Sequence, residues 1–111
     1  MLEETTRVNL LYDFYGNFLT VRQRECLELY YQHDLSLAEI AVNLGISRQG
    51  VHDLIKRGVR TLEKTEKRLG LVARFALREK DLRKLQVLLT AEEIPLDLRT
   101  EALAIVERLL D

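Results

Sequence analysis

The side chains best suited to chemistry cluster near the middle of the chain, in Ser36–Arg57 (SLAEIAVNLGISRQGVHDLIKR) and just beyond it. Arg48, Gln49, His52, Asp53 and Lys56 recur at spacings of one and three, which on a helix places them on one outer face. The chemistry they suit is recognition by hydrogen bonding, not bond making. An Arg48 fork matches guanine O6 and N7, and a Gln49 amide matches adenine N6 and N7. Asp53 opposes phosphate but can accept a hydrogen bond from the cytosine amino group. His52 reads as a solvated side chain or a phosphate contact. Lys56, Arg57 and Arg60 are placed for backbone phosphates. Ser47, at a helix start, leaves backbone N–H groups that can face an anion. The expected nucleic-acid contacts are therefore Ser47, Arg48, Gln49, His52, Asp53, Lys56, Arg57 and Arg60.

Other chemistries lack their residues. There is no glycine-rich phosphate loop and no nucleophile–base pair in a supporting context. His33 and His52 are the only histidines, and no metal-ligand spacing joins them. The single cysteine, Cys26, excludes an intrachain disulfide and suits a reducing compartment. It falls on an apolar helix face and reads as a small core residue. The expectation is a non-enzyme with no cofactor and no metal.

The elements that position these residues are helices. Leu11, Phe14, Tyr15 and Phe18 fall on one face of a first helix, about 4–18. Thr20-Val21-Arg22-Gln23 is a capping box opening a second helix, with Leu27, Tyr30 and Tyr31 on its apolar face. Ser36-Leu37-Ala38-Glu39 repeats the device, and Leu37, Ile40, Ala41 and Leu44 follow at helical spacing. Gly45 can take the left-handed conformation that ends such a helix, and Ser47 caps the next. Small Ala41 lets two helices cross closely. Val51, Leu54, Ile55, Val59 and Leu62 form the inner face of a helix reaching about Arg68. With Ile46 plugging the turn, these residues push Arg48, Gln49 and Lys56 outward. Gly70 interrupts the pattern. A fifth helix follows at about 71–89, with Val72, Phe75, Leu82, Leu85 and Leu89 as its stripe. Pro95 marks a connector, and Asp97 caps a last helix at about 98–110. One Pro, five Gly and no convincing alternation favour helices over strands.

The hydrophobic share of 47% supports a modest core, and the charged share of 32% a well-solvated surface. The net charge of −1 conceals an uneven distribution. Residues 47–84 carry twelve basic and five acidic side chains, net +7, between flanks that are each net −4. A basic centre of this kind can hold phosphate whatever the total. It also fits a solvated helix laced by internal pairs, such as Arg60 and Lys64 with Glu63 and Glu66. The start lacks the basic residues of a signal peptide, and no apolar run approaches the ~20 residues of a membrane span. A cytoplasmic protein without membrane insertion is expected.

Two resemblances rest on these residues. Leu19-Thr20-Val-Arg-Gln-Arg-Glu-Cys-Leu-Glu-Leu-Tyr-Tyr, with Leu35-Ser-Leu-Ala-Glu-Ile-Ala and Gly45-Ile-Ser-Arg-Gln-Gly-Val, resembles region four of sigma factors over about residues 19–64. That resemblance implies that Arg48, Gln49 and Asp53 face bases while His52 and Lys56 meet the backbone. The chain carries none of the sigma regions that bind polymerase and melt promoters. Over nearly the whole chain, the opening Glu4-Thr-Thr-Arg-Val-Asn-Leu-Leu-Tyr-Asp-Phe-Tyr-Gly, the Tyr30-Tyr31 pair and Ser47-Arg-Gln-Gly-Val-His-Asp-Leu-Ile-Lys-Arg are similar to the YlxM family. Membership implies a small DNA-binding protein of Gram-positive bacteria, whose gene neighbours those of the signal recognition particle. It thus implies an accessory or regulatory role in that protein-targeting pathway.

The expected fold is all-α: a multi-helix bundle with a sigma region 4-like helix-turn-helix and a C-terminal helical extension. A DNA-binding domain over residues 1–68, of the sigma region 4-like or winged-helix-like kind, would precede C-terminal helices over 69–111. The last helix has two apolar lines, Leu98, Ala102, Ile105, Leu109 and Leu103, Val106, Leu110. Such a surface either folds back on the first helix or forms a homodimer that presents two recognition helices to half-sites ~34 Å apart. The expected partners are DNA, signal recognition particle components and a second copy. The alternative is an accessory of that particle that binds its RNA or protein without specific DNA recognition.

Overall fold

In a computed structural model, residues 2–91 and 93–110 are described, and every regular element among them is helical. The elements are α1 (Leu2–Tyr15), α2 (Val21–Leu27), α3 (Leu37–Leu44), α4 (Arg48–Leu69), α5 (Leu71–Leu89) and α6 (Leu96–Leu110). A 3₁₀ turn, Gly16–Phe18, follows α1, and a π-turn, Glu28–Gln32, continues α2. The all-α expectation holds. No helix among the described residues is long and apolar enough to cross a membrane.

Caps set the boundaries of the central helices. Thr20 and Ser36 each accept a bond from the backbone N–H three residues on, and Gln23 and Glu39 reach back to the cap N–H. Gly45 closes α3 at φ 67°, and Ile46 N–H bonds back to the Ala41 carbonyl at 3.1 Å. Gly70 ends α4 in the same left-handed region, at φ 66°.

Two boundaries depart from expectation. The first helix starts earlier and stops at Tyr15, so the face drawn through Phe18 breaks at Gly16. Phe18 stands 64% exposed, while Leu19 beside it is buried. The last helix begins at Leu96 in place of an Asp97 cap, with Arg99 N–H bonding to the Pro95 carbonyl at 3.0 Å. Pro95 has no N–H to lose at that position. In the second helix the extra residue of the π-turn carries Tyr30 partly out of the core. Its ring meets Tyr31 edge-on at 4.9 Å.

The chain forms two compact units, one up to Val72 and one from Ala73 onward. The core of the first joins Val8, Leu11 and Tyr15 of α1, Cys26 and Leu27 of α2, Ile40 and Ala41 of α3, and Val51, Ile55 and Leu62 of α4. Burial also pushes the Cys26 thiol pKa up, which keeps it protonated and unreactive. Helix α4 crosses α2 at Gly58, where an added Cβ would lie 2.8 Å from Leu27 Cδ1. The second unit is a helical hairpin that buries Ala102 and Ile105. Arg108 grips both oxygens of Asp81, at 3.2 and 3.3 Å, and Lys84 pairs with Glu101 at 2.6 Å.

Candidate nucleic-acid interface

The serine-capped start of α4 positions the expected contact residues. Ser47 Oγ accepts a bond from Gly50 N–H at 2.9 Å. Val51 is fully buried, and Ile46 and Leu54 pack half-buried against the core. That anchorage turns the opposite face outward: Ser47, Arg48, Gln49, His52, Lys56, Arg57 and Arg60 are exposed, and Asp53 is half-buried. Arg48, Gln49 and His52 share a shallow concavity of about 390 Å³ with Leu37 of α3.

Asp53 is not a bare negative charge. Gln49 donates from Nε2 to its Oδ1 at 3.0 Å, and His52 Nδ1 lies 3.6 Å from the same oxygen. The Gln49 amide retains its carbonyl oxygen and a second N–H for an outside partner. Gly50 has no close neighbour on α3; its Cβ position lies 3.1 Å from Ser47 Oγ. The missing side chain therefore makes room for the cap, not for helix crossing.

The charge pattern of α4 bears on one of the two readings of the basic block, the helix laced by internal pairs. The helix carries seven cations: Arg48, Lys56, Arg57, Arg60, Lys64, Lys67 and Arg68. Among the described residues, no carboxylate lies within ion-pair distance of any of them. The acids that could have neutralised them are engaged elsewhere. Glu63 takes a bidentate bond from Arg7 of α1, with both contacts at 3.0 Å, and raises the Arg7 pKa. Glu66 Oε1 receives the Tyr15 hydroxyl at 2.6 Å and Val72 N–H at 3.0 Å. The internal lacing of Arg60 and Lys64 with Glu63 and Glu66 is therefore absent, and α4 presents a cationic ridge. Its 22 residues span about 33 Å, close to one turn of duplex.

Residues beyond the expected set join this surface. Lys64, Lys67 and Arg68 continue the ridge and border an open groove of about 930 Å³ with Phe18. A second groove, about 290 Å³, runs from His52 and Lys56 to Tyr30 and Tyr31. The basic block marked the three cations in the sequence. The aromatic residues gave no signal there, because their apolar spacing reads as core.

The short helix α3 and the long helix α4, joined by a Gly45 turn, with polar side chains projecting from the capped start of α4, define a helix-turn-helix protein. A model of the family described as "Putative helix-turn-helix protein, YlxM / p13 like" matches residues 2–98, and the chain belongs to that family. It is 50% identical over 93 residues to a UPF0122 protein of Bacillus mycoides, covering 84% of each chain. UPF0122 proteins of Bacillus cereus and Bacillus anthracis are each 48% identical over the same length and share.

Proposed function

We propose that the protein binds duplex DNA through α4. Arg48, Gln49 and Asp53 face base edges, His52, Lys56, Arg57 and Arg60 meet the backbone, and the Ser47 cap adds N–H groups toward a phosphate. One observation carries this: among the described residues no carboxylate pairs with any of the seven cations of α4, while Glu63 and Glu66 are held by α1. Unpaired cations on a rigid helix gain most from a polyanion, because phosphate binding releases condensed counterions. The capped start of α4, with its core-facing Val51, supplies the rigidity that base readout needs.

Two finer assignments go with this reading. The resemblance to the YlxM family supports an accessory role in the signal recognition particle pathway. The apolar positions of the C-terminal hairpin support a homodimer with two recognition helices. Fluorescence anisotropy with a labelled duplex, at about 50 mM and 200 mM salt, tests the DNA reading. Affinity falls by ~10³ or more between these salts if six or more phosphates are engaged. No binding at the lower salt removes it. A clear preference for the particle's structured RNA over duplex DNA moves the role to the ribonucleoprotein.

A further inference from the structure

Phe18 departs from the core pattern read for the first helix. It closes the 3₁₀ turn Gly16–Phe18, and its neighbours are fixed. Leu19 is buried and its N–H bonds to the Gly16 carbonyl at 3.1 Å, while Thr20 forms the capping box of α2. The backbone is thus pinned on the C-terminal side, yet the ring stands 64% exposed. With the backbone pinned, covering the ring orders only its own two side-chain torsions.

Its surroundings are cationic. Across the groove lie Lys64, Lys67 and Arg68, none with a carboxylate partner among the described residues. Thr61 and Thr65 form the wall between them, and the Thr65 hydroxyl is spent on the Thr61 carbonyl at 2.8 Å. One flat ring beside three free cations matches the repeat unit of a single nucleic-acid strand: a planar base with phosphates on either side. A docked amphipathic helix asks for something else, a row of anchors one and two turns apart. Here, among the described residues, the apolar lining is the Phe18 ring and Leu69.

We propose that Phe18, with Lys64, Lys67 and Arg68, forms a stacking subsite for an unpaired base. The inference rests on the nucleic-acid reading of α4 and extends it to a second kind of contact. The subsite lies at the opposite end of α4 from Arg48, about 24 Å along the axis at the 16-residue separation of Arg48 and Lys64. The ligand class is therefore a duplex or stem that continues into unpaired nucleotides, bound by α4 along its length and by Phe18 at the junction. Unpaired DNA and RNA share this chemistry.

The chain contains no tryptophan, so Phe18→Trp gives a single reporter at the site. The full-length variant is titrated with an unpaired oligonucleotide of about ten residues, as DNA and as RNA, and with a blunt duplex. The expected result is quenched emission with the unpaired strands and little change with the duplex. The stronger of the two quenching strands identifies the source. In parallel, Phe18→Ala weakens binding of the unpaired strands about 5- to 150-fold, the range for losing one stacked base, and leaves duplex affinity unchanged. Its melting curve matches the wild type, because the ring contributes little to the core.

Emission that stays constant while anisotropy shows the strand saturating the protein overturns the subsite. So does wild-type affinity of Phe18→Ala for unpaired strands, or a response only to an acidic amphipathic peptide, which reassigns the groove to a protein partner. Arg48→Ala separates this failure from failure of the parent reading. Loss of duplex binding in Arg48→Ala, with no effect of Phe18→Ala, removes the subsite alone. Quenching without any duplex binding at low salt removes the DNA reading and leaves the subsite standing.

Discussion

Tyr15 donates its hydroxyl to Glu66 Oε1 at 2.6 Å, joining the end of α1 to the last turn of α4. The same two side chains cap α5. Tyr15 Oη accepts from Leu71 N–H at 3.1 Å, and Glu66 Oε1 accepts from Val72 N–H at 3.0 Å. A buried phenol and a carboxylate thus satisfy donors that the left-handed break at Gly70 would otherwise leave open. The arrangement also withdraws Glu66 from the cations of α4. One contact helps to close the core and keeps the basic ridge unneutralised.

Removing either half is expected to cost stability. Tyr15→Phe removes one of the donors to Glu66 and leaves Leu71 N–H without its acceptor in a partly buried place. Its melting temperature should fall by about 5 °C or more, with Glu66→Gln milder because the amide oxygen still accepts. The pair also sets an alkaline limit. Burial first, and then the bond to Glu66, raises the Tyr15 pKa above its ordinary value. Burial and the bond to Glu28 push Tyr12 up to about 12. Both phenols are easier to ionise in the unfolded chain, so their contribution is complete below about pH 10 and is lost as pH rises through the raised values. Glu39 sets the acid side. Its bonds to Ser36 lower its pKa, so its share is present above the ordinary carboxylate range and is lost below it. Urea midpoints across pH check both limbs. A Tyr12→Phe, Tyr15→Phe double variant should show a flatter alkaline limb.

The contacts of α4 should divide by role. Arg48→Ala and Gln49→Ala are expected to cost about 1–3 kcal/mol against a preferred site and to flatten sequence preference. Lys56→Ala and Arg60→Ala should weaken all sequences alike and each reduce the salt slope by about one. Asp53→Asn removes a negative charge from the face, so non-specific affinity should rise while the hydrogen bond from Gln49 persists. Competition binding on a randomised duplex library distinguishes these outcomes. Equal loss for all four alanine variants on every sequence would contradict the division.

Gly58 offers a stability test away from the binding face. Alanine favours a helix by about 1 kcal/mol over glycine, but here its Cβ would press on Leu27, which is buried. Overpacking of this kind costs about 1–3 kcal/mol, so Gly58→Ala should be net destabilising by about 1 kcal/mol. Pairing it with Leu27→Val, which withdraws part of the blocking side chain, should cost less than the sum of the two single changes. Urea unfolding of the cycle measures the coupling.

What the sequence exposes here is mostly local. Thr20 with Gln23, Ser36 with Glu39, and the glycines at 45 and 70 act within one turn of their own positions, so their types and spacing reveal the breaks. The inward set Ile46, Val51 and Leu54 follows from helical period. Phe18 misleads because Leu11, Phe14, Tyr15 and Phe18 keep perfect spacing across a Gly-Asn pair, and spacing alone cannot show that the helix has tightened into a 3₁₀ turn. Tyr30 misleads likewise, because a π-turn adds a residue without changing composition. The α1 partners of Glu63 and Glu66, Arg7 and Tyr15, lie 56 and 51 residues away, beyond any local pattern. That is why the charge of α4 could be counted from the sequence but not its neutralisation.

The homodimer proposed above predicts a role for the exposed apolar side of the C-terminal hairpin. The ion-pairing positions Asp81 and Lys84 on α5, and Glu101 and Arg108 on α6, lie on one side. At 100° per residue, Leu82 and Leu89 fall 140–160° around from Lys84, and Val106 lies comparably far from Glu101 and Arg108. These leucines, Val106 and Leu103 are exposed, and a helix pair of under ~40 residues rarely carries an open apolar face alone. The border suits a two-fold partner. Glu79 and Arg83, which pair with each other at 3.9 Å on α5, supply both signs and can exchange partners with their counterparts across the axis. Light scattering is expected to give twice the 13.0 kDa chain mass at micromolar concentration. Leu82→Lys with Leu103→Lys should give monomers that still bind a single half-site while losing the gain from two. Asp81→Ala should loosen the hairpin without placing a charge in the seam, so its dimer should weaken less. A monomeric wild type at tens of micromolar would remove the homodimer.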